Sequence, residues 1–422
     1  MNDKVYCCID LKSFYSSVEC VELGLDPFTT NLVVADPARG RATVCLAISP
    51  AMKKLGIKNR CRVYEIPKNI KYIMAKPRMK LYMEKSAEIY SIYLKYIAPE
   101  DIHVYSVDEC FIDLSDYVKI YKMTARNLAK MLIDKVKEQT GICATVGIGT
   151  NLFLAKVALD ITAKNSPDFM GYLDVEEFKK TIWHHKPITD IWNIGKGIAK
   201  RLEHLGIFDL YGVSKCSERI LYKEFGINAE LLIDHANGIE PCTISDIHAY
   251  RSKSASISNG QILFSDYTFE DAYIILKEMV NQQVLEIVDK GFVTNSISLY
   301  IGYSNREHKG TGGSCSIGKY TNSYKYIMQH FTDLYNATTI KEMKIRKLNI
   351  SLNNIIGQEF ATRDLFTDYI AEGKEENLFK TVANIKRKYG KNSLLKGVSF
   401  NEKATARERN KMIGGHNSGE DE

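Results

Sequence analysis

The sequence predicts an α+β protein built from several domains. Its 422 residues are too many for one compact hydrophobic core. Strand-like and helix-like segments alternate along the first part of the chain, and acidic residues stand at the ends of several strands. Lysine and arginine crowd the C-terminal end instead. A mixed architecture with an acidic N-terminal site and a basic C-terminal half is therefore expected.

Composition narrows the class of protein. With 45% hydrophobic and 26% charged residues, the chain is typical of a globular protein. No apolar run approaches the roughly 20 residues of a membrane-spanning helix, and Met1 leads into a strand rather than a signal peptide. The 10 cysteines lack the spacing of a disulfide framework or a zinc site. We expect a cytoplasmic protein without a membrane partner.

The net charge of +6 is mild, but its distribution is uneven. The basic residues of the C-terminal end are Lys386, Arg387, Lys388, Lys391, Lys396, Lys403, Arg407, Arg409 and Lys411. Such a cluster suggests an acidic polymer as partner. A solvated basic tail explains this segment equally well when it is taken alone.

Three acidic residues are expected to meet at one edge of a sheet. "VYCCID" is an apolar strand that ends in Asp10, and "YSVDECFIDL" places Asp108 and Glu109 at the bend of a buried hairpin. Two adjacent acids at such a bend raise each other's pKa unless a cation lies between them. Two adjacent acids without a third usually lie in a solvated turn. The third carboxylate favours a site for two Mg²⁺ ions that supports phosphoryl transfer.

Two strand–helix units frame this edge. The helix "SFYSSVECVEL" follows the first strand, with Ser13 as its cap. A second strand, "ICATVGIG", precedes the amphipathic helix "TNLFLAKVALDITAK". The first 170 or so residues are thus predicted to be α/β or α+β.

Three of these segments resemble a known family in order and spacing. "CIDLKSFYSSVE", "YSVDECFID" and "ATVGIGTNLFLAKVALDITAK" resemble the palm motifs of Y-family translesion DNA polymerases of the UmuC/DinB type, and in particular the UmuC-like branch of low-GC bacteria and their mobile elements. The resemblance implies a right-hand polymerase. Its parts are a palm (1–14 and 78–172), small fingers (15–77), a helical thumb (173–241), a little finger (250–356) and a flexible basic tail (357–422).

The resemblance also assigns the acidic site. It implies that Asp10, Asp108 and Glu109 are the catalytic acids and bind two Mg²⁺ ions, with the Leu11 carbonyl as a further metal ligand. Carboxylate and carbonyl oxygens suit this hard ion.

Residues that bind the dNTP are implied in the same way. Phe14 and Tyr15 correspond to the aromatic pair under the incoming nucleotide, and Tyr15 is the expected steric gate against a ribose 2′-OH. A tyrosine that simply packs in the core is the alternative. Lys164 corresponds to a lysine that contacts the triphosphate. In the fingers, Pro50 stands where DinB-type members have Tyr, and Lys53 retains the positive charge of their Arg.

The predicted thumb contains a two-glycine turn. "IWNIGKGIAKRLEHLGI" has the pattern of a helix-hairpin-helix, in which Gly195 and Gly197 present backbone N–H groups to DNA phosphates. Lys196 and Lys200 add positive charge. The turn lies where the family's thumb holds the primer-template.

The C-terminal half suggests two further contacts. Segments from 250 to 356 have a βαββαβ-like order that resembles the little finger, with Arg251 and Lys253 as DNA-binding residues. An unrelated ligand-binding α+β domain would show the same bare pattern. "ATRDLF" resembles the peptide with which bacterial polymerases bind the sliding clamp, through Asp364, Leu365 and Phe366. An ordinary helix start is the alternative, and "NLFKTV" offers a second Leu-Phe pair.

The sequence therefore predicts a Mg²⁺-dependent, low-fidelity DNA polymerase for lesion bypass in the SOS response to DNA damage. Primer-template DNA, dNTPs, a sliding clamp and a UmuD-like protein are the expected partners. Two alternatives remain: a catalytically inactive DNA-binding paralogue, and a nucleotide cyclase with a similar palm. The intact acids argue against the first, and the two-glycine turn with the basic C-terminal half argues against the second.

Overall fold

The structure, a computed structural model, describes residues 4–252, 255–305, 307–362 and 367–419. These residues form two compact units. We call them the N-terminal unit, which contains residues 4–250 and 417–419, and the C-terminal unit, which contains the described residues between 251 and 416. All helices in the described ranges are too short or too polar to span a bilayer.

The first part of the N-terminal unit alternates strands and helices. Its elements are β1 (Tyr6–Leu11), α1 (Phe14–Glu22), β2 (Leu32–Val34), β3 (Ala47–Ile48), α2 (Pro50–Lys54), β4 (Ile73–Ala75), α3 (Met79–Tyr93), β5 (Ile102–Val104), β6 (Glu109–Asp113), α4 (Tyr117–Ile120), α5 (Ala125–Thr140), β7 (Ala144–Gly149), α6 (Leu152–Val157) and β8 (Met170–Leu173). A π-helical turn, Ala158–Thr162, directly follows α6.

A five-stranded sheet forms the centre of this part, in the order β5-β6-β1-β7-β8. The strands β6 and β7 both pair with β1 in antiparallel fashion, and β8 runs parallel to β7. All six residues of β7 are buried, as expected for a central strand covered on both faces. A separate sheet, β3-β2-β4, lies in the segment that the sequence assigned to the fingers.

Glycines let α6 approach β7 very closely. A Cβ atom at Gly147 would come within 2.1 Å of the Leu159 backbone nitrogen, and one at Gly149 within 2.3 Å of the Ala155 nitrogen. No side chain fits such a gap. The "GIG" sequence therefore fixes the position of the helix that follows it.

Short helices make up the rest of the N-terminal unit. They are α7 (Val175–Thr181), α8 (Lys196–His204), α9 (Leu210–Lys215), α10 (Glu218–Phe225), α11 (Asn228–Ala236) and α12 (Ile244–Ala249). The predicted two-glycine turn is present, and α8 begins directly after Gly195. The segment before it is a single 3₁₀ turn, Ile188–Asp190, where the helix-hairpin-helix pattern predicted a helix.

The C-terminal unit has the predicted βαββαβ order. Its elements are β9 (Ile257–Tyr267), α13 (Phe269–Asp289), β10 (Phe292–Tyr303), β11 (Thr311–Thr321), α14 (Tyr324–Thr338), β12 (Ile345–Asn353), β13 (Ile356–Gly357), α15 (Tyr369–Tyr389), α16 (Ala406–Arg409) and β14 (Met412–Ile413), and β15 (His416–Asn417) follows. The main sheet has the order β11-β10-β12-β9. One strand, β11, is not apparent in the sequence pattern because "TGGSCSIGKYT" is rich in glycine and serine.

The expected flexible tail over 357–422 differs from the structure. Residues 369–389 form the 21-residue helix α15, whose Phe379 is only 7% exposed. That ring lies 5.7 Å from the ring of Tyr324 and joins the core formed by α13, α14 and the sheet. The sequence did not indicate this helix because its basic residues, most of which are exposed, are also typical of a solvated tail.

Replacing Phe379 with Ala should destabilise the C-terminal unit. Loss of a buried phenylalanine typically costs about 3–5 kcal/mol. Leu378→Ala is the matched control because Leu378 is 61% exposed, and its effect should stay within about 0.5 kcal/mol. Calorimetric unfolding of the full chain measures both variants. Equal shifts of the two variants would contradict the burial of Phe379.

Candidate active site

Strand pairing brings the three predicted acids together. Asp10, near the end of β1, lies directly opposite Glu109, the first residue of β6. Asp108 precedes Glu109, and its carbonyl oxygen accepts a 2.9 Å hydrogen bond from the Leu11 N–H. The antiparallel register therefore places three carboxylates and the Leu11 backbone at one edge of the sheet.

A serine shapes the turn that carries Asp108. The Ser106 hydroxyl donates to Asp108 Oδ1 at 2.7 Å and accepts from the N–H groups of Asp108 and Glu109. The N–H groups of Tyr105 and Ser106 both donate to the Glu109 carbonyl. Sequence reasoning did not assign Ser106 a role, although a serine two residues before an acid is a typical turn signal.

The clustered acids strongly perturb Asp10. Burial raises the pKa of Asp10 most, and the negative charges of Glu109 and Asp108 raise it further, to about 7. Lys164 and Lys156 partly offset this effect. A carboxyl group with such a pKa gains greatly from a nearby cation.

Lys156, on α6, is a cation that the sequence did not indicate as part of the site. Its buried ammonium lies 2.5 Å from Glu109 Oε1 and 3.1 Å from the carboxylate of Asp160. Lys164, in contrast, is half-exposed and contacts Asp160 Oδ1 at 3.0 Å. Asp160 lies in the π-helical turn, four residues from each lysine, so both lysines reach the same acid. A lysine on the helix that directly follows a "GIG" strand is the sequence signal that could have indicated Lys156.

The ligand atoms at this edge are of the chemical type that binds a hard divalent cation. These carboxylate and carbonyl oxygens are the ligands that Mg²⁺ prefers. Burial and the two neighbouring carboxylates raise the pKa of Asp10, and a nearby cation would oppose this rise. Within the described residues, however, no three His, Cys, Asp or Glu side chains approach one another as metal ligands do. Glu109 instead pairs with Lys156.

More lysines surround the acids. Burial lowers the pKa of Lys53, Lys164 lowers it further, and Asp10 and Asp108 act against this. The predicted Lys53 therefore lies within electrostatic range of the acids. Lys12, which sequence reasoning missed, also has a pKa lowered by burial and by Lys53. Its ammonium stacks 3.8 Å above the ring of Phe169.

The aromatic pair next to the acids divides into a buried and an accessible ring. Phe14 is only 2% exposed and packs in the core. Tyr15 is partly exposed, and its pKa is raised by burial and then by Asp108, which places it beside the acidic edge. Tyr15 is thus the ring of the pair that a bound nucleotide could touch.

Tyr15 rests on a rigid support that the sequence did not reveal. Its ring stacks on Tyr82 with centroids 4.6 Å apart. The Tyr82 hydroxyl donates to Glu19 Oε1 at 2.6 Å, and Arg78 donates to both oxygens of the same carboxylate at 3.1 and 2.6 Å. Glu19 is 4% exposed, so this charge is buried and paired. The network fixes Tyr82 behind Tyr15.

The predicted phosphate-binding turn is exposed. Gly195 precedes α8 in an extended conformation, and a Cβ at Gly195 or Gly197 would meet nothing within 4 Å. Lys196 and Lys200 are exposed on the same turn and helix. An acidic ligand can therefore approach the backbone here.

Some predicted residues cannot be placed. Lys253 and the clamp residues Asp364, Leu365 and Phe366 lie outside the described residues, whereas Arg251 is described and exposed. The competing Leu-Phe pair is different. Phe379 is buried in the core of the C-terminal unit, so "NLFKTV" is unsuited to bind a partner through that ring.

Comparison with known protein families covers most of the chain. Residues 9–160 match the model of the impB/mucB/samB family, and residues 254–365 match the C-terminal domain of the same family. The chain is 30% identical over 419 residues to UvrX of Bacillus subtilis strain 168, which carries a UV-damage repair name, with 97% of each chain covered.

Other relatives are named DNA polymerases. DNA polymerase IV 2 of the same Bacillus strain is 28% identical over 423 residues, with 99% of each chain covered. DNA polymerase IV of Clostridium acetobutylicum is 27% identical, with 94% of this chain and 98% of the relative covered. Among solved structures, a Y-family DNA polymerase chimera of Dbh and Dpo4 matches with a TM-score of 0.65 at 21% identity, over 84% of this chain and 99% of that one. The last match shows a shared fold.

Proposed function

This chain belongs to the impB/mucB/samB family, the UmuC/DinB type of Y-family DNA polymerases, and we propose that it copies damaged DNA templates with low fidelity. One observation carries the proposal. Asp10 and Glu109 face each other in register with Asp108 beside them, at a sheet edge that lysines surround. The reaction is transfer of a nucleotide from a dNTP to a primer 3′-OH.

Asp10, Asp108, Glu109 and the Leu11 carbonyl are the residues that would hold two Mg²⁺ ions. Metal bound there would supply activation of the primer hydroxyl and neutralisation of charge on the departing pyrophosphate. The protein's own part is positioning: the β1–β6 pairing sets the acids, and Ser106 orients Asp108. Lys53 and Lys164 attract the triphosphate.

Sugar selection is assigned to Tyr15. A dNTP would lie against its exposed side, where a ribose 2′-OH would collide with the ring. Because Tyr82 covers the other side of Tyr15 and is held by Glu19, the ring has little room to retreat. This rigidity supports a steric gate.

Two parts of the chain are proposed to bind the primer-template. The turn with Gly195, Lys196, Gly197 and Lys200 would contact phosphates without reading bases, and the segment at Arg251 and Lys253 would add a second contact. Affinity from such contacts falls steeply with salt.

The cellular setting is inferred from the family alone. We expect a cytoplasmic protein of the SOS response that binds a sliding clamp through Asp364, Leu365 and Phe366, with a UmuD-like protein as a further partner. Burial of Phe379 supports the 364–366 peptide over its competitor.

One observation favours an alternative. The Lys156–Glu109 ion pair occupies a carboxylate that the metals need, as in a DNA-binding paralogue without activity. A nucleotide cyclase, the third candidate, would use nucleotides without a primer. Primer extension with Mg²⁺ and dNTPs separates the three, because only a polymerase lengthens the primer according to the template.

Asp108→Asn and Glu109→Gln should each slow nucleotide addition on the order of 1,000-fold or more, since metal-bound carboxylates supply several kcal/mol of transition-state stabilisation. Primer-template affinity should change less than about threefold because phosphate contacts dominate it. Single-nucleotide addition and DNA titration measure these effects. Asp113→Asn, at the other end of β6 and paired with Lys4, is the control and should keep the parent rate within about twofold. Full activity of Asp108→Asn would refute the assignment.

Tyr15→Ala should raise ribonucleotide incorporation relative to dNTPs by about 100-fold or more, because the ring no longer collides with the 2′-OH. Tyr172→Ala, an exposed tyrosine on β8, is the matched control. Competition between each dNTP and its NTP measures the ratio. A Tyr15→Ala enzyme with the parent's sugar preference would return Tyr15 to a packing role.

Replacing Leu365 and Phe366 with Ala should leave clamp-free extension unchanged and remove the gain in product length that the clamp gives. A tether raises the effective concentration of polymerase at the primer even when the peptide binds weakly. Extension on a primed circular template, with and without loaded clamp, measures the gain. Leu378→Ala is the control and should respond fully. A full response of the double variant would exclude the peptide.

A further inference from the structure

Trp192 connects the two-glycine turn with the hairpin that carries the acids. It lies three residues before Gly195, and its indole Nε1 donates to the Tyr105 hydroxyl at 3.2 Å. Its ring packs edge-on against Tyr105, with centroids 6.1 Å apart, and 5.8 Å from the ring of Phe111.

The two residues that Trp192 touches flank the catalytic acids. The Tyr105 N–H donates to the Glu109 carbonyl at 2.9 Å and so closes the turn that holds Asp108. Phe111, two residues after Glu109, lies opposite Cys8 of β1. Both rings therefore belong to the hairpin that carries the acidic turn.

The other side of Trp192 is connected to α6. His235 stacks parallel to the indole, with centroids 6.1 Å apart, and lies 4.0 Å from the ring of Phe153. A hydrogen bond of 2.9 Å between His235 Nε2 and the Glu240 carboxylate holds the buried His235 in place. Phe153 stands three residues before Lys156, the partner of Glu109. Trp192 is thus in contact, directly or through one ring, with both elements that position Glu109.

We propose that Trp192, with Tyr105, is a positioning residue that couples DNA binding at the Gly195–Lys200 turn to the alignment of Asp108 and Glu109. The proposal rests on the polymerase function above. Binding of a template phosphate pulls on the residues next to Trp192, and the aromatic contacts transmit that force to the acidic turn. Small errors of alignment are expensive in rate, since a shift of about 1 Å can slow a reaction about 100-fold.

The chain provides a matched control because it has only two tryptophans. Trp183 belongs to the same helical part, donates to the Ala236 carbonyl at 2.6 Å and packs on Tyr211. Its loss removes a comparable ring and hydrogen bond but leaves the contacts of the acidic turn intact. A purely structural role would make the two tryptophans equivalent.

The kinetic test compares Trp192→Leu with Trp183→Leu. Trp192→Leu should lower kcat for nucleotide addition about 10- to 100-fold, while KM for the dNTP and the Kd for primer-template change less than about threefold. Trp192→Phe, which keeps a ring, should recover most of the rate. Tyr105→Phe, which removes only the hydroxyl, should lower kcat a few-fold. Equal losses in the two Leu variants, or an unchanged kcat in Trp192→Leu, would overturn the proposal.

A fluorescence test decides the case even if Trp192→Leu fails to fold. In Trp183→Phe the sole tryptophan is Trp192, and in Trp192→Phe it is Trp183. With a dideoxy-terminated primer-template, Trp192 emission should change on DNA binding and again when Mg²⁺ and dNTP are added, whereas Trp183 emission should lack the second change. Adding Tyr105→Phe to Trp183→Phe should shrink the second change. Its absence from Trp192 would overturn the coupling.

The two levels of inference fail differently. A parent protein that never extends a primer refutes the polymerase function. A parent that extends primers while Trp192 emission and kcat prove independent of each other refutes only the coupling.

Discussion

The acidic edge depends on the burial of one carboxyl group beside two like charges at one register position. The β1–β6 pairing places Asp10 opposite Glu109, next to Asp108. Burial, together with the charges of Glu109 and Asp108, raises the pKa of Asp10 from 3.8 to about 7, which corresponds to on the order of 4 kcal/mol of lost hydration and repulsion. A fold accepts such a penalty only where the site needs concentrated negative charge, and much of the surrounding architecture acts to contain it.

The positive charges that offset this negative charge come from elements distant in sequence. Lys156 reaches Glu109 because Gly147 lets α6 approach β7 closely. Lys156 and Lys164 lie on either side of the π-helical turn, and both pair with Asp160. Behind Tyr15, the buried Glu19 carboxylate serves the opposite purpose, since Arg78 and Tyr82 pair with it and it holds Tyr82 against the Tyr15 ring. The same residue type thus provides a reactive edge in one place and a support in another.

Local sequence pattern predicts part of the fold and part of the site. The α+β class, the βαββαβ order apart from β11, and the acids at strand ends follow from alternation and strand boundaries, which the sequence displays directly. The Lys156–Glu109 and Glu19–Arg78 pairs join residues 47 and 59 positions apart, and no local pattern encodes such distances. Two elements were not predicted because of their composition. The glycines and serines of β11 are typical of a loop, and the basic residues of α15 are typical of a mobile tail.

The folded state of α15 changes the geometry available to the peptide before it. A 3₁₀ turn, Gln358–Phe360, stands on one side of residues 361–366, and α15 begins at Tyr369 on the other. Thr367 is held by the Lys319 ammonium at 2.9 Å. Described residues on both sides of 363–366 are therefore anchored to the C-terminal unit. Because Phe379 is buried against the core, α15 cannot swing away as a free tether without exposing that ring.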